Sequence, residues 1–478
     1  MSQYSLSFFI VAFLLCSKIF ILKYYDELIG KAKCHAVRVE TNKEHGKGVI
    51  SNRKFAEGDL ILKDEVLVAA QHSSNKVDCF ICSFCFRFIG SVELQIGRKL
   101  YLQSLGLSAK GECDQHGFPM SASGSSEFHN EEDNFHHQSS DNSGCNTHSK
   151  SSPTKEVLES LMNGDLLLPH SKQFLLPPVF PCSGGCEEER YCSNVCADCD
   201  WEAVHSLLCT GKNASSLQRD ALIKFNEHAH RTNDIFILAA KVIAFTIVRY
   251  RRMKVLSFDG SRQPIVLNSK VESNLSLLLE AWKPFAMGFK RRWWDCIALP
   301  DDVDSCDEIS FRMQIRDLAF ASLQLLKEAI FDDECAPLFS LEIYGHIIVI
   351  SAVASPVEDY FIYIDDLPLD EKEEAEKLTR PLLDALGDDY SICCQGTAFF
   401  PIQSCMNHSC CPNAKAFKRE EDKDGQAVII ADRPISPGEE ITISYIDEGL
   451  PYDERQALLA DYGFKCCCPK CKKEQVLR

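Results

Sequence analysis

"NHSCCPNA", residues 407–414, packs an Asn-His pair, a hydroxyl, two cysteines and a proline turn into eight positions. Such a stretch suits a loop that does chemistry, a metal corner or a polar turn, and the rest of the chain decides among them. The cysteines decide first. The chain of 478 residues carries 25 of them, grouped as C-x2-C, C-x3-C and H-x3-C rather than at the wide spacing of a secreted disulfide scaffold. Closely spaced thiolates are zinc ligands of a reducing compartment, because the intervening turn brings both sulfurs to one side of a tetrahedral ion. Isolated Cys296, Cys306 and Cys335 read instead as small buried hydrophobes.

Downstream of the opening stretch, "GFKCCCPKC" places Cys466, Cys468 and Cys471 at C-x-C-x2-C, three ligands where zinc wants four. Cys410 is the natural fourth, and such a site would clip the C-terminus onto the Asn407–His408 loop. Upstream come four more pairs: Cys82 with Cys85, Cys182 with Cys186, Cys192 with Cys196, and His205 with Cys209. Four pairs make two sites, and Cys79 is a rival for Cys82 or Cys85. About three zinc ions per chain are expected.

Between these clusters the chain alternates apolar and polar residues from Cys34 to Ala70 ("AVRVE", "GVI", "DLILKDEVLVAA"), which predicts strands separated by turns. "AVIIADRPISPGEEITISYID" near the C-terminus reads as strand–turn–strand. Helices are predicted over 215–254, where "DIFILAAKVIAFTIV" is apolar on every face, and at "RDLAFASLQLLKEAI". The acidic run "LPLDEKEEAEKLTRPLLDAL" reads as a solvated amphipathic helix. Residues 104–156, rich in Ser, Gly, Asn, His and acidic residues, read as a disordered insertion.

Hydrophobic content of 45% and charged content of 25% are those of a globular protein. The net charge of −18 argues against direct nucleic-acid binding and suits a basic partner such as a lysine-rich tail. "LSFFIVAFLLCSKIFIL", residues 6–22, is near the minimum length of a membrane span. Lys18 interrupts it, no basic segment precedes it and no small-residue cleavage site follows. It reads as an apolar extension outside the fold, with a membrane anchor as the minority alternative.

The ordered set Tyr191, Cys192, Cys196, Trp201, His205 and Cys209 ("YC-x3-C…W-x3-H-x3-C") resembles the MYND zinc finger. That resemblance implies cross-bracing, with Cys82, Cys85, Cys192 and Cys196 in one site and Cys182, Cys186, His205 and Cys209 in the other. This chain departs from the family by its C-x3-C second pair and by the long insertion after the first. "NHSCCPNA", "PGEEITISYID" and the cysteine tail, together with "HGKGVISNRKFAEGDLIL", resemble the SET domain with its post-SET segment. The phrase "CFRFIGSVELQIGRKLY" inside the finger and the split of the finger by an insertion resemble the plant trithorax-related SET-and-MYND branch.

The resemblance implies an α+β architecture: a β-rich SET fold split by a small cross-braced finger, with a helical insert and a zinc-bound tail. The expected division is an extension over 1–24, SET over 25–81, the finger over 82–209, a helical insert over 210–340, the SET core over 341–446 and the post-SET segment over 447–478. It also implies a histone or other protein-lysine methyltransferase using S-adenosyl-L-methionine. Gly46, Lys47 and Gly48 would approach the cofactor's methionine end, Asn407 and His408 its amino and adenine ends, and Phe464 would stack on adenine. Tyr445 would orient the substrate amine as the catalytic residue and would also touch the cofactor. Tyr390 and Phe400 would line the lysine channel. Histone H3 is the default substrate, the nucleus the expected compartment with the cytoplasm second, and Pro-rich or transcription-factor partners are expected at the finger. The rival reading is a non-catalytic adaptor that recruits such partners.

Overall fold

The computed structural model describes residues 18–31, 34–42, 46–107, 153–258, 270–285, 292–295, 306–345, 351–353, 355–387, 394–417, 424–462 and 464–476, with a few single positions between them. Most of the apolar stretch 6–22, most of the insertion 104–156 and Cys296 lie outside the described residues.

The alternating N-terminal pattern becomes β1 (Val37–Asn42), β2 (Gly46–Ser51), β3 (Leu60–Asp64) and β4 (Val68–Gln71). Near the C-terminus, β9 (Asn407–His408), β10 (Ala414–Ala416), β11 (Ala427–Ala431) and β12 (Glu440–Ile443) return to the same region. One sheet has the order β1-β2-β12-β9 and a second β10-β11-β3, so strands from the two ends of the chain interleave. A third sheet pairs β4 with β8 (Cys394–Phe399) and β7 (Ser351–Val353). Inward-facing Val37, Val39, Val49, Ile61, Ile429 and Ile441 form one apolar core. β12 alternates strictly, whereas β11 is buried at all five positions and so lies covered on both faces.

Helix α1 (Lys18–Lys31) packs on this core through buried Tyr25 and Ile29. It runs across the boundary expected at residue 24, so the fold begins earlier than the apolar stretch suggested. Its Tyr25, Leu28 and Ile29 follow helical spacing and supply the apolar face.

The predicted helical stretch 215–254 divides into α5 (Ser216–Thr232) and α6 (Ile235–Phe258). Asn233 interrupts it, its side-chain oxygen accepting the Ile235 N–H at 2.9 Å as a cap for the second helix. The first half of α6 is apolar all round because it is buried all round: Leu238, Val242, Ile243, Ala244 and Ile247 are fully enclosed among α5, α7 (Lys270–Trp282) and α8 (Glu308–Ile330), whereas Arg251, Val255 and Leu256 in its last turns are exposed. No helix among the described residues is long and apolar enough to cross a membrane.

The stretch 82–209 is more than a finger. Between its first and second cysteine pairs, α2 (Val92–Ser104) and α3 (Lys155–Asn163) pack with α9 (Pro356–Asp365) and α10 (Leu369–Leu386) in a separate apolar cluster. The acidic helix α10 is therefore amphipathic against a partner, burying Ala375, Leu382 and Leu386. The finger proper is the hairpin β5 (Phe180–Pro181)–β6 (Arg190–Tyr191), the helix α4 (Asn194–Asp200) and the turn carrying His205, closed by Cys82 and Cys85.

Candidate active site

Three sets of four donors converge, with all ligand atoms of a set within 4.8 Å of one another: Cys82, Cys85, Cys192 and Cys196; Cys182, Cys186, His205 and Cys209; and Cys410, Cys466, Cys468 and Cys471. Sulfurs 2.3 Å from a common tetrahedral centre stand about 3.8 Å apart. The separations fit that figure: 3.6 Å for Cys85–Cys192, 3.8 Å for Cys182–Cys209, 3.8 Å for Cys410–Cys466 and 3.6 Å for Cys410–Cys471. His205 turns Nε2 toward Cys182 and Cys186, at 3.1 and 3.3 Å. Each set could hold one zinc ion, and a set of four protein ligands leaves no position for substrate. Cys79 packs instead with Ile81, Phe86 and Phe88. Cys335 is buried as expected, but Cys306 is exposed, so its reading as a buried hydrophobe is corrected.

Beside the third set lies a residue that sequence reasoning missed. Arg455, fully buried, reaches the Cys471 sulfur at 3.6 Å and Glu474 at 2.6 Å, and donates to the Leu450 carbonyl. Four thiolates around a divalent ion carry excess negative charge, and a buried guanidinium offsets it.

Strand pairing assembles the candidate site from three distant segments. β12 lies between β2 and β9, antiparallel to one (Ile441 opposite Val49) and parallel to the other (Thr442 opposite Asn407, Ile443 opposite His408). The Gly46–Gly48 segment, Asn407–His408 and Tyr445 therefore meet at one place. Asn413, also from the opening stretch, fixes β12: its Oδ1 accepts the Thr442 N–H and its Nδ2 donates to the Glu440 carbonyl, both at 2.8 Å.

The Asn407 amide donates to the Lys47 carbonyl at 2.8 Å and to Glu440 Oε1 at 2.6 Å. Glu440 opens β12. It lies so close to β2 that a Cβ on Gly48 would stand 2.6 Å from its Oε1. Gly48 is required for that approach, whereas Gly46 needs its hydrogen side chain for a φ of +77° and has open space beside it. A backbone turn with space beside it is a cradle that a ligand's backbone-like end can enter, so these residues fit the methionine end of S-adenosyl-L-methionine.

Tyr445 is held at three points. Its N–H donates to His408 Nδ1 at 3.0 Å, its carbonyl accepts from the Tyr462 hydroxyl at 3.3 Å, and its own hydroxyl donates to the Met406 carbonyl. Because Nδ1 accepts, the His408 ring proton belongs on Nε2, which lies 3.2 Å from Cys410 Sγ. His408 thus spends its imidazole on protein partners; any contact with a cofactor falls to its backbone. Burial, with Tyr462 nearby, raises the Tyr445 phenol above its ordinary value, so its hydroxyl stays protonated. The rings of His408, Tyr445 and Phe464 are mutual neighbours at 5.4 to 6.3 Å, and Phe464 is 39% exposed, a face available to a planar ligand.

Tyr390 and Phe400 belong to two other apolar clusters. Tyr390 packs edge-on against Phe361 in the α9–α10 cluster, and Phe400 is buried with Phe86 and Ala427. Neither belongs to the apolar cluster that Tyr445 borders.

Comparison with known proteins gives the same reading of the last third of the chain. The SET domain model matches residues 324–446. Histone-lysine N-methyltransferase ATXR2 of Arabidopsis thaliana is 59% identical over 95% of this chain and 93% of its own length. Protein-lysine N-trimethyltransferase SMYD5 of Mus musculus is 41% identical over 17% of this chain and 20% of its own, and N-lysine methyltransferase SMYD2 of Gallus gallus 40% over 17% and 18%.

Proposed function

The chain belongs to the SET-domain protein-lysine methyltransferases of the SET-and-MYND type, and we propose that it methylates a lysine of histone H3 with Tyr445 at the reacting centre. The reading rests on one observation above the others: Asn407–His408 joins the two remaining parts of the site, the Asn407 amide donating to the Lys47 carbonyl of the Gly46–Gly48 segment and the His408 ring accepting the Tyr445 N–H just beyond β12. S-adenosyl-L-methionine, which SET methyltransferases use, supplies an activated methyl group on a sulfonium when bound.

The residues of this chain do the rest. Gly46, Lys47 and Gly48 receive the methionine end of the cofactor, Asn407 and the His408 backbone hold its polar groups, and Phe464 offers a ring to the adenine. With its proton given to the Met406 carbonyl, the Tyr445 hydroxyl keeps oxygen lone pairs for an N–H of the incoming lysine amine. That fixes the direction of the amine's own lone pair, which is the alignment the transfer requires. The neutral phenol also accommodates the positive charge that departs as the methyl moves. No side chain is assigned as a base; the amine's proton goes to solvent.

The three cysteine sets hold structural zinc. A net charge of −18 favours a basic histone tail, the activity belongs in the nucleus, and exposed Leu175, Val179 and Val195 beside the finger suit an apolar or Pro-rich partner. The test is to incubate the zinc-loaded full chain with radiolabelled S-adenosyl-L-methionine and nucleosomes or free histones, with Tyr445→Phe alongside. Label on H3 that falls about a hundredfold in the variant supports the reading. Label on another histone moves the substrate, and a variant as active as the parent removes Tyr445 from the role.

A further inference from the structure

Helix α1 reaches the chemical site through one side chain. Tyr25 is 2% exposed, and its ring is part of the core beneath the first sheet. Its hydroxyl accepts a hydrogen bond from Lys47 Nζ at 3.0 Å. Lys47 is the middle residue of the Gly46–Gly48 segment, and its own carbonyl is the acceptor of the Asn407 amide. The same buried core holds Cys405 and Met406, the two residues before Asn407, and the Tyr25 hydroxyl is a neighbour of the Cys405 thiol. One phenol therefore stands between Lys47 of β2 and the residues leading into β9, the two segments assigned to the cofactor.

An ammonium on a four-carbon stem has three protons and many rotamers. Left in solvent, Lys47 would have to be ordered each time a ligand bound, at a cost typical of one immobilised long side chain. Tyr25 removes that cost by holding the amine in one place before the ligand arrives. A phenylalanine would fill the same apolar space but could bond neither the Lys47 amine nor the Cys405 thiol beside it.

We propose that Tyr25 is a positioning residue for the cofactor segment, acting through Lys47, and that helix α1 is part of the methyl-transfer unit rather than an appendage to it. The inference rests on the assignment of Gly46–Gly48 as a cofactor contact. Residues 18–31 then matter to binding as well as to stability, and a chain begun at residue 25 would lack the first half of the helix that places Tyr25.

The test is binding of S-adenosylhomocysteine by titration calorimetry to the full chain, to Tyr25→Phe, to Lys47→Met and to the double variant. Zinc content and melting temperature are measured on each. Phenylalanine keeps the ring and removes only the hydroxyl, so Tyr25→Phe should melt close to the parent and bind about three- to tenfold more weakly. The double variant should bind no worse than Lys47→Met alone, because on this proposal the hydroxyl affects the cofactor through the amine and not through the Cys405 thiol. A folded Tyr25→Phe with the parent's affinity overturns the proposal, as do losses that multiply in the double variant. Should Tyr25→Phe melt early, the comparison of Lys47→Met with the double variant still separates packing from positioning, since packing losses would multiply. A parent chain that binds no S-adenosylhomocysteine would overturn the functional reading itself, and this inference with it.

Discussion

The backbone N–H of Tyr445 donates to Nδ1 of His408 at 3.0 Å, while the other nitrogen of that ring lies 3.2 Å from Cys410 Sγ. An imidazole is rigid, so the third cysteine set and the tyrosine are held at a fixed separation across one ring. Replacing His408 by alanine leaves Tyr445's N–H without its acceptor and Cys410 without its donor. Losing the outer partner of a metal ligand typically costs 10- to 100-fold in activity or metal affinity. We expect kcat to fall by about that factor in His408→Ala, with zinc lost from the third set first. Steady-state kinetics with a zinc assay on the same preparation check this, and full activity at full zinc content would refute it.

Arg455 makes a second prediction, about charge. Its guanidinium is buried against Cys471 and Glu474 and offsets the negative charge of a four-thiolate site. In Arg455→Met the stem's volume is kept and the charge removed, so the third site should bind zinc about 10- to 100-fold more weakly. Release to a chromophoric chelator should show one ion leaving early and two at the parent's rate. Three ions leaving together would mean that the substitution unfolds the chain instead.

What the sequence discloses and what it withholds divide along physical lines. The strand at Val37–Asn42 was legible because one buried face imposes a period of two, and Ala427–Ala431 as a short, wholly buried apolar run closed by the Pro-Gly turn. The ligand pairs were legible because the metal demands short spacings, and the structure gathers the same twelve residues. Helix α1 was missed because the apolar run ending at residue 22 drew attention from Tyr25, Leu28 and Ile29, which carry the packing. Glu440 and Arg455 were missed for a different reason. A charged residue in a turn or on a helix reads as solvated, and only strand pairing or tail docking reveals that each is spent on a neighbour. His408 was legible as a site residue, but the use of its ring depends on contacts 37 residues away along the chain.

The two glycines of the cofactor segment should respond differently to alanine. At Gly48 a Cβ would meet Glu440 Oε1 at 2.6 Å and the Asn407 amide at 3.4 Å, so Gly48→Ala must break the Asn407–Glu440 contact. Overpacking of that kind costs about 1–3 kcal/mol, and cofactor affinity should fall with it. At Gly46 nothing lies within 4 Å, and the cost is the left-handed φ of +77° alone, about 1–2 kcal/mol. Urea denaturation paired with cofactor titration separates the cases. Equal losses of cofactor affinity at both positions would show that the Glu440 contact carries no weight.

Asp64 sets a dependence on pH. Its Oδ2 accepts the N–H groups of both Ile402 and Gln403 at 2.7 Å, and so holds the segment leading to Asn407. Burial pushes its carboxyl up to about 7, against those two N–H bonds and with Glu65 adding to the rise. Tyr24 and Tyr25 of α1 and Cys34 face it as uncharged groups at neutral pH. A proton on Oδ1 leaves Oδ2 free to accept both bonds, so the protonated form is compatible with the fold. Because the folded value lies above the unfolded one near 4, the folded chain binds the extra proton between those values. The contribution of Asp64 to stability is therefore full below about pH 4 and is lost as pH rises to about 7, amounting to a few kcal/mol across the window. Asp64→Asn cannot titrate, so the difference in unfolding free energy between parent and variant should shrink steadily from pH 5 to pH 7.5. Denaturant unfolding at four or five pH values measures it, and a difference that is flat or grows with pH would show that the carboxyl is already ionised throughout.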